Sequence, residues 1–481
     1  MQRRRWKTRY DDEPHPRAPR VIRPTLLAAV LATASSSPPP PTDSADLALL
    51  PIYKELVEIN TVDPTGDNTR AAEAMAARLR AAGFPAADVQ VLVPQPRKGN
   101  LVARLRGTGQ RRPLLLLAHL DVVEARREDW STDPFTLLEK DAFFYGRGTG
   151  DDKAMAAIWI ATLIRLKQEG YRPDRDIIVA LTADEEGGPA NGVHWLLEKH
   201  RDLIDAELAL NEGGRGQIKD GRYLANGIQA SEKVFESFRL EVTNPGGHSS
   251  LPPKDNAIYR LAAGLGRLAA FDFPVRLSEV TRAYFERMAS IAPGPEADDM
   301  KAVLRTPPDA PALARLSSSP YHNALMRTTC VATRLEGGHA ENALPQMARA
   351  TVNCRILPGT PAGEVQATLV DVVADAGIAI TSLAPAKPSP PSPLQPDIMG
   401  PVEEVTRQLW PGVPVLPIMG TGATDSLYLR QVGIRAYGVS GLFSDVDDNR
   451  AHGRDERMGV RQLYEGREFL YRLVKRLSSG A

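Results

Sequence analysis

The residues best suited to chemistry are two histidines and several acids, set either beside glycine or at the end of an apolar run. His119-Leu120-Asp121 directly follows four leucines and an alanine. An imidazole there suits a metal ligand, with Asp121 accepting its second N–H to fix the tautomer and raise basicity; the pair also reads as a strand-end histidine beside a solvated acid. Gly146-Arg147-Gly148-Thr149-Gly150-Asp151-Asp152-Lys153 is a glycine-rich loop opening a helical pattern. Asp151 or Asp152 fits a helix N-cap. Taken alone the loop favours capping; the alternative is a carboxylate bridging two cations with its two oxygens, and the spacing matches neither a phosphate loop nor a dinucleotide fingerprint. Asp184-Glu185-Glu186-Gly187 places three like charges at one turn. If that turn is enclosed, bound cations are the most direct offset to the repulsion. Neighbouring residues in extended geometry point to different sides, so one glutamate is placed to ligate while the other meets water. Glu212, in Asn211-Glu212-Gly213-Gly214, and His452, in Ala451-His452-Gly453-Arg454-Asp455-Glu456, complete the set.

What unites these groups is the elements that precede them. Residues 114–118, 177–182, 206–210 and 434–439 are short, continuous apolar runs, the pattern of strands buried on both faces. Open α/β sheets bind ligands beyond the carboxyl ends of such strands. Two imidazoles and three carboxylates gathered there suit a pair of zinc ions sharing one bridging aspartate, with cobalt or manganese as substitutes. Between the runs, residues 153–167 carry apolar side chains at helical spacing until Gly170 stops them. The expected class is therefore α/β, a helix-covered mixed sheet.

Near Phe235 the pattern changes. Residues 237–242 alternate polar and apolar, followed by the turn Asn244-Pro245-Gly246-Gly247. A helical stretch at 256–270, strands at 328–335 and 348–357, a helix at 361–376 and a strand at 378–383 make a β-α-β-β-α-β pattern of ferredoxin-like α+β type. Residues 384–396 are a proline-rich hinge, after which 402–409 reads as a helix and the first style resumes. The predicted organisation is a domain of residues 46–234 and 387–481 with residues 235–386 inserted. Cys330 and Cys354, the only cysteines, lie in adjacent predicted strands, placed either to pair or to remain buried thiols.

Bulk properties exclude several classes. At 481 residues two cores are expected. Lys+Arg and Asp+Glu balance at 59 each, and a basic footprint for nucleic acid is absent beyond the first two dozen residues. No apolar run approaches the roughly 20 residues needed to span a membrane. Residues 1–45 run from a basic stretch (Arg3 to Arg23) through the apolar run 25–34 to a Ser/Pro spacer. That order is a secretory signal peptide, implying a periplasmic or secreted protein; the alternative is a basic arm on a cytoplasmic one.

The ensemble resembles the zinc aminoacylase and glutamate carboxypeptidase family, whose members include acetylornithine deacetylase, succinyl-diaminopimelate desuccinylase and the carnosinases. His119-Leu120-Asp121, Gly146 to Lys153, Asp184 to Gly187, Glu212-Gly213-Gly214 and His452 occur in the family's order. Gly246-Gly247-His248-Ser249-Ser250, Glu341-Asn342-Ala343-Leu344-Pro345 and Asn353-Cys354-Arg355 resemble its lid-domain segments. The resemblance implies two zinc ions bridged by Asp151, His119 and Glu212 completing one site, Glu186 and His452 the other. It assigns Glu185 as general base, Asp121 as the partner of His119, and His248 as an oxyanion donor reaching, commonly, the partner subunit's site. It also implies Asn342, Arg355 and Gly422 as substrate contacts and a homodimer joined through the lid. The implied reaction is amide hydrolysis of small N-acyl amino acids or short peptides with a free carboxylate. The alternatives are an aminopeptidase with a similar metal core and a silent binding homologue.

Overall fold

A computed structural model describes residues 44–479, so the basic and apolar N-terminal segment lies outside the described residues. Among those described, no helix is long and apolar enough to cross a membrane. A large mixed sheet orders its strands as Val89–Leu92, Asn100–Leu105, Ile177–Thr182, Leu114–His119, Leu208–Asn211, Arg435–Gly438, Arg222–Glu232, Gly216–Lys219 and Phe443–Asp445, with Val415–Gly420 pairing beside Arg222–Glu232. Its four central strands, from Ile177–Thr182 to Arg435–Gly438, are mutually parallel, so their carboxyl ends share one edge.

The apolar runs are continuous because both faces of this sheet are covered. Leu114, Leu116 and Ala118 enter one core with Val179 and Leu210, beneath the helices Lys153–Gln168 and Val460–Ser478. Leu115 and Leu117 point the other way, into a second core with Ile178, Ala180 and Ala209 beneath Gly192–Lys199. The period-two geometry of a strand requires this division.

A separate four-stranded antiparallel sheet orders Thr329–Gly337, Met347–Ile356, Val234–Thr243 and Ile378–Ser382. In chain order this is 2-3-1-4, with helices Ala257–Ala269 and Ala362–Val373 on one face, a ferredoxin-like arrangement. Strand Met347–Ile356 alternates strictly between buried and half-buried residues, as a sheet with one covered face must. Cys330 lies opposite Cys354, and the two form a disulfide.

One part of residues 235–386 departs from the expected single inserted unit. Four helices between Glu279 and Met326 contribute Val280, Phe285, Met300 and Leu325 to the core of the large sheet instead. Arg287 fastens them there, donating to Val415 O at 2.8 Å and pairing with Glu403. Their amphipathic pattern specifies a buried face but not which sheet buries it.

Candidate metal centre

His119 is the last residue of its strand and is buried, with Nε2 3.3 Å from Asp151 Oδ1 and 4.0 Å from Glu212 Oε1. Its Nδ1 lies 2.9 Å from the backbone oxygen of Asp121 and 3.6 Å from that residue's carboxylate. The carboxylate expected to orient the imidazole is instead engaged elsewhere. It accepts the backbone N–H groups of Glu185 (3.1 Å) and Glu186 (2.9 Å), shaping the acidic turn, and the Asp121 carbonyl takes over toward the ring. The expected cluster of three acids is also divided. Asp184 turns into the protein, where Lys98 Nζ sits 2.5 Å away and Ala190 N–H donates to it, leaving Glu185 and Glu186 at the site.

Asp151 divides its oxygens between two groups. Oδ1 faces His119, and Oδ2 lies 3.4 Å from His452 Nε2, which in turn is 2.8 Å from Glu186 Oε1. Donor atoms of His119, Asp151 and Glu212 lie within 4.8 Å of one another, and so do those of Asp151, Glu186 and His452. The two groups differ in access, since His119 is 2% exposed and the His452 side chain 53%.

Two further residues hold this arrangement and were not singled out from the sequence. Glu456 is buried and accepts hydrogen bonds from Gly148 N–H (3.1 Å), Gly150 N–H (2.7 Å), Asp151 N–H (3.1 Å) and Arg147 Nη1 (2.8 Å). It thereby ties the segment carrying His452 to the glycine loop carrying Asp151. Asp425 is buried near Glu185, accepting from Asn191 Nδ2 at 2.6 Å. Residues whose partners are backbone N–H groups leave no signature in spacing, whereas the Gly420-Thr421-Gly422 stretch beside Asp425 was a usable signal.

The electrostatics show a deficit of positive charge. Burial, and then the charge of Asp151, pushes the Glu212 carboxyl well above the ordinary range; burial, and then Glu212, does the same to Glu185. Burial likewise drives Asp425 up to about 7. Burial also disfavours the Asp151 carboxylate, yet the two imidazoles hold it well below its usual value. The adjacent Asp151 and Glu186 carboxylates raise His452 to about 10. Glu186 Oε1 is buried with no hydrogen bond, its approach to His452 not being oriented as one. Packed acids, an orphaned carboxylate oxygen and an all-N/O donor set fit a pair of divalent cations.

The other expected site residues lie outside this cluster. His248 and Ala343 pair across a short two-stranded ribbon, Gly247–His248 with Ala343–Leu344, and Asn342 O accepts from Ser249 N–H at 3.1 Å. His248 and Asn342 are exposed, and among the described residues the polar partner of the His248 ring is Ser250, at 2.8 Å from its hydroxyl. The structure thus brings His248 beside Asn342 but not to the ligands within one chain. Arg355 is half-buried, stacked 4.9 Å over Phe235 and paired with no carboxylate among the described residues. Gly422 is exposed beyond the strand Val415–Gly420.

Comparison with known proteins adds to this geometry. The sequence profile described as Peptidase family M20/M25/M40 matches residues 115–476. The N-fatty-acyl-amino acid synthase/hydrolase PM20D1 of Homo sapiens is 31% identical over 376 residues, covering 76% of this chain and 74% of that protein. Aminoacylase-1B of Rattus norvegicus is 28% identical over 451 residues, covering 89% and 95%. Among solved structures, an M20 family metallo-carboxypeptidase from Sulfolobus solfataricus superposes with a TM-score of 0.68 at 18% identity, covering 89% of this chain and 99% of that one. Human carnosine dipeptidase 1 superposes at 0.58 and 17% identity, covering 91% and 100%. These two share the fold.

Proposed function

Because this chain belongs to the M20/M25/M40 peptidase family, and is therefore a hydrolase acting on amide bonds, we propose that it cleaves N-acyl amino acids bearing a free carboxylate, with Glu185 as general base. The observation that carries this reading is Asp151, whose two oxygens lie 3.3 and 3.4 Å from imidazoles of two separate groups, the arrangement of a carboxylate shared by two cations.

Zinc is the proposed occupant, held by His119, Asp151 and Glu212 on one side and by Asp151, Glu186 and His452 on the other; cobalt or manganese suits the same donors. Bound cations supply Lewis-acid activation of the water and of the amide carbonyl. Glu185 accepts the proton of the attacking water and returns it to the departing nitrogen, so that the amide and one water yield a carboxylic acid and a free amine. Asp121 holds the Glu185-Glu186 turn in place through the backbone. His248 donates to the carbonyl oxygen as charge develops on it. Arg355, with no acid of its own, receives the substrate carboxylate, with Asn342 and Gly422 beside it. The names of the PM20D1 and aminoacylase relatives support acyl amino acids as the class.

His248, exposed and with Ser250 as its polar partner, is proposed to serve the site of a second copy, so that the functional unit is a homodimer joined through the small domain. Exposed Val331 and Leu335 on the edge strand, with Tyr259 on the neighbouring helix, support that surface. The disulfide and the signal-like residues 1–45 support export.

A panel of N-acyl amino acids, dipeptides and blocked peptides, assayed with metal-stripped and zinc-restored protein, tests the proposal. Acyl amino acids should be cleaved only after restoration. Preferential release of N-terminal residues from free-amine peptides would replace the reading with an aminopeptidase.

A further inference from the structure

A cavity of about 380 Å³ lies where the chain crosses between the two sheets, at the small end of the range of about 300–1,000 Å³ for ligand pockets. Val234 and Phe235 of the outgoing crossing form one wall, Leu383 and Pro385 of the returning crossing a second, and Ala423 with Leu427 of the helix that Asp425 precedes the third. It therefore opens between the metal-bearing sheet and the small sheet. Its Phe235 ring is the one on which the unpaired Arg355 guanidinium rests, at 4.9 Å, and the two residues are cross-strand neighbours.

Charged groups at the cavity are already engaged or opposed. Lys387 Nζ donates to the Tyr428 hydroxyl at 2.8 Å, and Lys233 Nζ to Arg327 O at 2.8 Å and Thr329 Oγ1 at 3.3 Å. Glu236 is buried with one oxygen lacking a hydrogen bond, and burial lowers Lys233 to about 7. A cationic side chain entering here meets the Lys387 ammonium, and an anionic one meets Glu236. The remaining surface is predominantly aliphatic and aromatic.

We propose that this hinge cavity receives the side chain of the substrate's carboxyl-bearing amino acid and selects apolar, including aromatic, side chains. The inference rests on amide hydrolysis with Arg355 gripping the carboxylate. In an amino acid the side chain and the carboxylate leave the same carbon, so a carboxylate on Arg355 puts the side chain within reach of the ring beneath it. The acyl group then extends from the nitrogen in another direction and is not selected here. Burial of a leucine or phenylalanine side chain is worth roughly 1.5–3 kcal/mol, or about 10–200-fold.

The test is the kcat/KM of N-acetyl derivatives of glycine, leucine, phenylalanine, glutamate and lysine on the full zinc-restored chain. Leucine and phenylalanine should exceed glycine by about 10–200-fold and lysine and glutamate by at least as much. Ala423→Phe, at an exposed position, fills the cavity and should collapse the phenylalanine-to-glycine ratio toward unity. The ratio cancels any loss common to both substrates. Leu427→Asp should shift preference toward lysine, and if that variant does not fold, the Ala423→Phe ratio decides alone. Equal rates for all side chains, a wild-type preference for lysine or glutamate, or an unchanged ratio in Ala423→Phe overturns the inference while leaving amide hydrolysis standing. Cleavage of none of the five overturns the hydrolase reading itself.

Discussion

The surroundings of Asp151 and those of Arg355 are built on opposite plans. Around Asp151 every group is set at the end of a central strand or in a loop tied to one, and Glu456, Asp121 and Asp425 fix the backbone and side chains from behind. Around Arg355 and His248 the supports are few. Arg355 rests on a half-exposed ring, and His248 sits on a two-residue strand with Ser250 as its polar neighbour. Groups meant to hold cations need fixed separations, because like charges packed in a buried turn are tolerated only with the counter-charge in place. Groups meant to meet a substrate or a second copy need open valences, and an arginine already paired with a carboxylate has none to offer. The contrast separates a pre-arranged reaction centre from recognition residues completed by what binds.

Removing a proton-transfer group from the rigid region should cost most. Glu185→Gln is expected to lower kcat by about 10²–10⁴ while metal content by elemental analysis stays at the wild-type level, and retained activity would remove Glu185 from the chemistry. A change in the open region comes next. His248→Ala should lose about 10²–10³ in kcat for one oxyanion donor. On the proposed dimer, in which that histidine serves the partner's site, mixing His248→Ala with Glu185→Gln should recover activity through mixed dimers; no recovery after subunit exchange would place it in its own chain's site.

Smaller effects sharpen the same contrast. Glu456→Gln turns an amide NH₂ toward N–H donors and should weaken metal binding by about 10–100-fold in competition with a chelator, with little change in the small sheet's disulfide or fold. The smallest effect concerns the small domain alone, where the Arg260 guanidinium holds the Asp375 carboxyl down to about 2. A folded pKa depressed below the unfolded value of about 3.9 stabilises above that value and is lost as pH falls toward 2. Asp375→Asn should therefore lower Tm slightly at neutral pH, with the gap closing between about pH 4 and 2 and kcat/KM unaffected throughout.

The four central strands of the large sheet were legible because burial on both faces leaves a continuous apolar run, as at Ile177–Thr182, and the small sheet because half-burial leaves alternation, as in Val234–Thr243. The acids and histidines beyond those runs were legible for the same reason, since the run's end marks the sheet's edge. Other features were not. The helices from Glu279 to Met326 declare a buried face but not its partner, and they cross over to the large sheet. Asp184 looks identical to its neighbours in sequence until Lys98, 86 residues earlier in the chain, is folded against it.

By itself, then, the amino-acid order determined that the central segments become strands, which residue types wait at their ends, and that a doubly covered sheet and a half-covered one both form. These depend on local periodicity and on chemistry carried by single side chains. Only the tertiary structure decided that Asp151 faces two imidazoles at once, that Glu456 closes the glycine loop upon His452, and that an apolar cavity lies beneath Arg355's ring partner. Each of those is a distance between residues far apart in the chain. Such distances are set by how layers pack, which no local pattern encodes.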